Sequence, residues 1–502
     1  MKTHELIRQS YPITLPEVEG NLRVGASWVA NYDIPDVAGW SDLAAAPELV
    51  HARLTSRSHE GRCPSSASKY PLPKPGSREV RWITTLHPFD ELYYRIVVGR
   101  MADAIDVALS PGVLSYRLAN QSPGWQIQSV KDAQTTRRNR ANVLLADERC
   151  AAIGVADIRN YYATLAHDTL ASLLAKVGVP QHDQIVLGDF LGSLMIVGAA
   201  PGIPIGPEAS GLLGNVGLVS VDRAVEQLVI DHIRYTDDSW LFLKSAKDWS
   251  DVRDIYTSST AQLGLEPNDS KMAVFRADSS EAAQVIQNAH IAYATSGAGP
   301  YRTSQMATAE IRDQIDSGEP DWLIVKFNLG TLRSQGSPAG LPLIYDHSEL
   351  LCEIPTAIGH YLWTLGSERE GRAQIDREWL VEQATAIPTR RSLAGQLQVC
   401  RAASRLRLGK EHGRSLEDFA TSCELRRHPP LQAWAATAWG SSKSHRPGRA
   451  IEYAEHFGNF LVRRAFSLTV RPDSSAPAKH YCWRRKLASV DPDLKPTLAR
   501  LG

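Results

Sequence analysis

The stretch Ile233-Arg234-Tyr235-Thr236-Asp237-Asp238-Ser239-Trp240-Leu241-Phe242-Leu243 sets two adjacent carboxylates between two short apolar runs, 232–235 and 240–243. Branched and aromatic residues flanking a polar centre predict a β-hairpin with the acids at its turn. Side-by-side carboxylates repel, and each raises the other's pKa unless a cation neutralises them. A divalent metal supplies that charge, because hard oxygen ligands suit Mg²⁺ or Mn²⁺. A solvated turn with two acids has the same local pattern. A third carboxylate and a nucleotide site elsewhere in the chain would separate the two.

Upstream lies Cys150-Ala151-Ala152-Ile153-Gly154-Val155-Ala156-Asp157-Ile158-Arg159-Asn160-Tyr161-Tyr162. A compact apolar run ending in one acid predicts a buried central strand with Asp157 at its C-terminal end. A bare carboxylate is costly to bury there unless it is paired or metal-bound. Thr164 is expected to cap a helix that runs to about Lys176 and stops at Gly178, and a second helical stretch is expected over 182–199.

Between acid and hairpin stands Pro201-Gly202-Ile203-Pro204-Ile205-Gly206-Pro207-Glu208-Ala209-Ser210, a Gly/Pro loop entering a helix at Pro207, with Leu212, Val216, Val219 and Val225 on its apolar face. Glycines let backbone approach a ligand, and a helix start offers free N–H groups to an anion or base. After the hairpin a helix is expected over 247–263, ending at Gly264, and then a strand with Lys271 just ahead of its apolar run. Before the first acid, residues 55–77 are rich in Ser, Pro and Gly and predict a loop. A short strand follows, then a helix with Leu92, Ile96, Met101, Ile105 and Leu109 on one face. Lys74, Arg78 and Arg81 cluster ahead of that helix. Basic residues so placed hold triphosphate oxygens in phosphoryl-transfer sites, and they also make an ordinary soluble strand edge.

The order strand, helices, hairpin, helix, strand predicts an α+β sheet with helices on one face. Neighbouring strands would bring Asp157 beside the hairpin turn. Three carboxylates there would hold two ions, one activating a 3′-hydroxyl and one steadying the leaving pyrophosphate. Because strand side chains alternate in direction, Asp237 is the expected more direct ligand of the pair.

The chain of 502 residues is long enough for two to four domains, and 43% hydrophobic with 22% charged residues is a globular balance. Six scattered cysteines form no zinc spacing and no disulfide framework. No apolar signal core opens the chain, and the most apolar window, 185–206, is broken by Asp189 and two prolines. A cytoplasmic protein is expected. Net charge is zero, yet from Thr389 onward 21 Lys and Arg face 9 Asp and Glu. That basic quarter predicts either a footprint for phosphate backbones or solvated helix faces. Trp434, Trp439, Tyr453, Tyr481 and Trp483 lie among these bases, where aromatics stack single-stranded bases or simply pack helices.

Taken together, VADIRNYY, GIPIGPEASGLLGN, RYTDDSWLFL and LGLEPNDSKMAVF resemble, in order and spacing, four motifs of the reverse transcriptases, and PKPGSREVRWIT and LSYRLA resemble their finger segments more loosely. The resemblance covers roughly residues 70–280. Pro204-Ile205-Gly206-Pro207 stands where retroviral and intron enzymes carry Pro-Gln-Gly, a form similar to bacterial abortive-infection and defence-associated members. By resemblance, Asp157, Asp237 and Asp238 are the metal ligands and Lys271 a general acid near the pyrophosphate. Tyr162 would lie under the sugar and disfavour a 2′-hydroxyl. Ile158, Pro204, Gly206, Ser210 and Tyr235 would line the nucleotide site, with Lys74 and Arg81 at the triphosphate.

The resemblance implies a right-hand-like arrangement: an N-terminal extension over 1–69, fingers and palm over 70–285, a thumb-like connection over 286–345, and a basic α-helical domain over 346–502 that suggests helical repeats. It also implies two Mg²⁺ (or Mn²⁺) ions, dNTPs, a non-coding RNA template or protein-primed untemplated synthesis, homo-oligomers and a role in antiphage defence. Two alternatives stand beside it: a catalytically silent, RNA-binding scaffold of polymerase shape, and a polymerase using rNTPs.

Overall fold

Ala152–Ala156 (β5) is an inner strand of a four-stranded antiparallel sheet. Its neighbours are β7 (Asp238–Leu243) and β8 (Ala273–Arg276), and β6 (Asp231–Tyr235) lies outside β7, giving the order β6-β7-β5-β8. The register pairs Ala156 with Ser239 and Tyr235 with Asp238, so the end of β5 and the β6–β7 turn fall at the same edge. The computed structural model describes residues 11–29, 32–61, 63–120, 124–198, 201–293, 303–470 and 477–501. The expected break at 296–299 lies outside them.

Alternation along the strands sorts the core into two faces. On one, Ile153, Ile233, Trp240 and Phe242 pack with Ala141 and Leu144 of α2 (Val130–Leu145) and with Ala282 and Ile286 of α6 (Ser280–Tyr293). On the other, α5 (Trp249–Ala261) lays Trp249 over Gly154, where an added Cβ would sit 2.3 Å from the ring. Tyr256 of α5 is buried on that side beside Ser239. Helices therefore cover both faces rather than the single face expected, because α2, which precedes β5, and α6, which follows β8, close the second side. Around this sheet the chain adds α1 (Pro88–Gly99), two short strands β3 (Leu118–Asn120) and β4 (Gln126–Ile127), and helices His167–Lys176 and Gln181–Ile196.

Four local expectations change. Thr164 does not cap the helix His167–Lys176: it ends a short turn of helix, Tyr161–Thr164, and its hydroxyl donates back to the carbonyls of Asn160 and Tyr161. The helix after Pro207 is two, α3 (Glu208–Gly217) and α4 (Val219–Glu226), parted at Leu218. The helix carrying Leu92 and Ile96 likewise ends at Gly99, with Ile105 on a separate one, Ala102–Ala108. Within 55–77, the helix Pro47–His59 runs into the stretch, and β1 (Ala67–Pro73) pairs with β2 (Val80–Leu86). A two-stranded sheet has only edge strands, which tolerate the prolines of β1 that disguised it as a loop.

The chain divides into two compact units: Met1–Val24, Leu54–Ser68 and Thr84–Tyr293 form the first, and Gly25–Arg53, Lys69–Ile83 and Ala294–Gly502 the second. Among the described residues the second is helical apart from the 69–83 strand ends. In it α7 (Trp322–Ser334), α8 (Pro355–Ser367), α10 (Leu393–Ala403), α12 (Pro429–Gly440) and α14 (Phe460–Thr469) pack each on the next. A second row, α9 (Arg377–Thr385), α11 (Lys410–Thr421) and α13 (Pro447–His456), packs on the first. Trp434, Trp439 and Trp483 are buried within this unit, and Tyr453 donates to Glu417, so these four pack helices. The side chain of Tyr481 lies outside those described. Among the described residues no helix is long and apolar enough to cross a membrane.

Candidate active site

The turn between β6 and β7 is two residues, Thr236 and Asp237. Thr236 takes the left-handed conformation at φ 58°, an uncommon state for a β-branched residue that needs support from its surroundings. Its N–H donates to Ser115 Oγ at 2.8 Å, and its carbonyl accepts from Arg234 Nη1 at 2.7 Å. Arg234 is buried and forms a two-bond pair with Asp222 of α4, both at 2.8 Å. Asn215 of α3 accepts from Arg234 Nη1 at 3.1 Å and donates to the Ser115 carbonyl at 2.6 Å. This buried brace holds the turn from beneath. Arg234, Asn215 and Ser115 lie in three separate motif stretches, and the sequence signal for their partnership is the arginine inside the apolar run 232–235, which demands an anionic partner.

Asp157 follows β5, is only 8% exposed, and has its outer oxygen claimed twice. Asn268 Nδ2 and Lys271 Nζ each lie 3.0 Å from its Oδ2. The backbone is clasped as well, with Asn268 N–H donating to the Asp157 carbonyl at 2.8 Å and Ile158 bridging to Pro267. The lysine-bearing loop is thus folded directly over the first acid, while the Lys271 side chain stays 63% exposed.

The two hairpin acids differ. Burial pushes the Asp237 carboxyl above its usual range, and the charges of Asp157 and Asp238 push the same way against a hydrogen bond from Thr236. Asp238 instead meets Arg137 of α2, Nη2 to Oδ2 at 2.5 Å. Tyr235 is buried with its ring 5.6 Å from the same guanidinium.

The Gly/Pro loop lies on the segment that carries Asp157. Ile203 N–H donates to the Tyr162 carbonyl at 2.8 Å, and a Cβ on Gly202 would sit 2.2 Å from that oxygen, so only glycine permits the approach. Burial, then Tyr116, Asp237 and Tyr161, hold the Tyr162 phenol well above its usual range. Pro204 is buried and Gly206 is exposed at φ 130°. Ser210 is buried with its hydroxyl 3.1 Å from that of Tyr94 on α1, and Glu208 pairs with Arg95. The start of α3 is therefore furnished by protein groups. Lys74 and Arg81 belong to the second unit; Lys74 Nζ pairs with Glu79 at 2.6 Å at the β1–β2 turn, and Arg81 is exposed.

Asp157, Asp237, Asp238, Lys271, Tyr162, Ile158, Pro204, Gly206, Ser210 and Tyr235 all lie in the first unit. Among the described residues no three His, Cys, Asp or Glu side chains gather into a metal-holding group. Lys271 draws on Asp157 and Arg137 draws on Asp238, which leaves Asp237 as the acid with the least compensation. Two carboxylates repelling at the edge of a sheet are a donor set that suits a hard cation. No protein-family model matches the chain, and no curated protein matches it.

Proposed function

We propose that the chain is a DNA polymerase of the reverse-transcriptase kind, transferring nucleotides from dNTPs in antiphage defence, on an RNA template or by untemplated, protein-primed extension. One observation supports this above the others. Asp157 follows an inner strand of an antiparallel sheet, and the Asp237–Asp238 hairpin turn falls at the same end, in the register of β5 against β7. The motif resemblance supplies the rest.

Asp157, Asp237 and Asp238 would hold the divalent ions, which would supply Lewis-acid activation of a 3′-hydroxyl and charge neutralisation at the pyrophosphate. In the transfer, the 3′-hydroxyl loses its proton to solvent, and its oxygen bonds to the α-phosphorus as the bond from that phosphorus to the α–β bridging oxygen breaks. Lys271 Nζ, placed at Asp157, gives its proton to the departing pyrophosphate. Tyr162, whose carbonyl accepts from Ile203 of the Gly/Pro loop, would by the resemblance lie under the sugar and disfavour a 2′-hydroxyl. The braced turn keeps Asp237 from swinging away during the reaction.

A second reading has its own support. Lys271 and Arg137 already neutralise two of the three acids, as in a silent scaffold that binds RNA. Adding labelled dNTPs and Mg²⁺ to the purified chain separates the two. A polymerase yields labelled polymer that Asp237→Asn abolishes, and a scaffold yields none while retaining co-purified nucleic acid. Tyr162→Ala, compared on rNTPs and dNTPs, tests the sugar assignment by raising rNTP use.

A further inference from the structure

Arg137 distinguishes the three acids. It lies on α2, one turn ahead of Ala141, on the sheet face lined by Trp240 and Phe242. Its guanidinium sits 3.7 Å from the centroid of the Trp240 ring, and its side chain is 2% exposed. A charge buried this far is tolerable only with an opposite charge in contact. Asp238 is that charge, at 2.5 Å. Strand alternation gives the reason: Asp238, Trp240 and Phe242 point to one face, towards α2, whereas Asp237 occupies the turn. We propose that Arg137, fixed by burial, is a positioning residue that holds Asp238 as its own counter-ion, whereas Lys271, 63% exposed, can withdraw from Asp157, so that Asp157 and Asp237 are the acids offered to a divalent cation. This rests on the metal-dependent reading above and refines it: the double-acid motif supplies one ligand and one anchor.

The assignment has consequences that a uniform set of three ligands lacks. Removing the anchor should leave metal affinity nearly intact while the fold weakens. Removing Arg137 should free a second acid and tighten metal binding, an effect that lost packing does not produce. The guanidinium plane also stacks on an indole, so Arg137→Lys keeps the charge but forfeits part of the stack.

Mn²⁺ titration of the full chain, followed by electron paramagnetic resonance, reads this directly, with melting in EDTA reporting the fold. Asp157→Asn and Asp237→Asn are each expected to weaken Mn²⁺ binding by about tenfold or more. Asp238→Asn is expected to shift affinity less than about threefold while lowering Tm, and Arg137→Met to tighten Mn²⁺ about threefold or more. Should Arg137→Met fail to fold, Arg137→Met/Asp238→Asn removes both buried charges and is expected to bind Mn²⁺ as the parent does, with Arg137→Lys between. An Asp238→Asn chain that loses Mn²⁺ as severely as Asp237→Asn overturns the proposal. So does a double variant whose affinity falls with that of Asp237→Asn. A parent chain that binds no Mn²⁺ removes the metal site and this proposal together. The expected order of affinities without dNTP incorporation retains the proposal and removes only the polymerase.

Discussion

Arg234 is the residue on which the turn geometry depends, since one guanidinium joins Asp222, Asn215 and the Thr236 carbonyl out of water. Arg234→Met leaves Asp222 buried with its cation gone, so unfolding in urea should show a loss of about 3–5 kcal/mol. Asp237 behaves oppositely. Its folded carboxyl titrates above its unfolded value because burial and Asp157 disfavour the anion. The folded state then binds more protons than the unfolded one across that interval, so metal-free stability falls as pH rises through it. Melting in EDTA should show Asp237→Asn more stable than the parent at neutral pH, by on the order of 1 kcal/mol. Mg²⁺ should narrow the difference by stabilising only the parent. An Asp237→Asn chain less stable than the parent in EDTA would mean that the acid is compensated.

At the level of elements, β5 and the hairpin are legible in the sequence because their apolar runs are short, dense and bounded by acids. Strand faces are not legible: a run apolar on both sides does not say which helix covers which side, and α2 and α6 carry mixed faces. Glycine inside a strand usually marks a close approach, and Gly154 makes one, beneath Trp249. Gly154→Ala forces that ring or β5 to shift, and a loss of about 1–3 kcal/mol is expected by chemical denaturation. An unchanged midpoint would show the indole free to move. β1 is hidden for a different reason, since a polar edge strand with two prolines has the composition of a linker.

Across the whole molecule, the positions of the acids can be read from motif order, but the partners of those acids cannot. Lys271 lies beside Asp157, whereas Arg137 comes from a helix with no local signature, and the Arg234 brace joins residues of three separate motif stretches to Asp222, a partnership that their order along the chain does not reveal. The basic C-terminal quarter is also less of a nucleic-acid footprint than its charge implies, because part of it is internal. Arg464 is fully buried between Asp36 and Asp42, and Arg463 pairs with Asp491 at 2.8 Å. Burial alone would push the Asp42 carboxyl up, but Arg464 holds it below the usual range. Stability from that pair should be present above the unfolded carboxylate pKa and be lost as pH falls through the depressed one. Arg464→Met should cost about 3–5 kcal/mol in urea denaturation at neutral pH, and equal stability would place the acids in water. The polymerase chemistry is tested by Mg²⁺-dependent incorporation of labelled dNTPs by the purified chain beside Asp157→Asn and Asp237→Asn. A two-metal polymerase yields labelled polymer from the parent and a loss of about a hundredfold or more in either variant. Equal incorporation, or equal silence, from all three chains would contradict it.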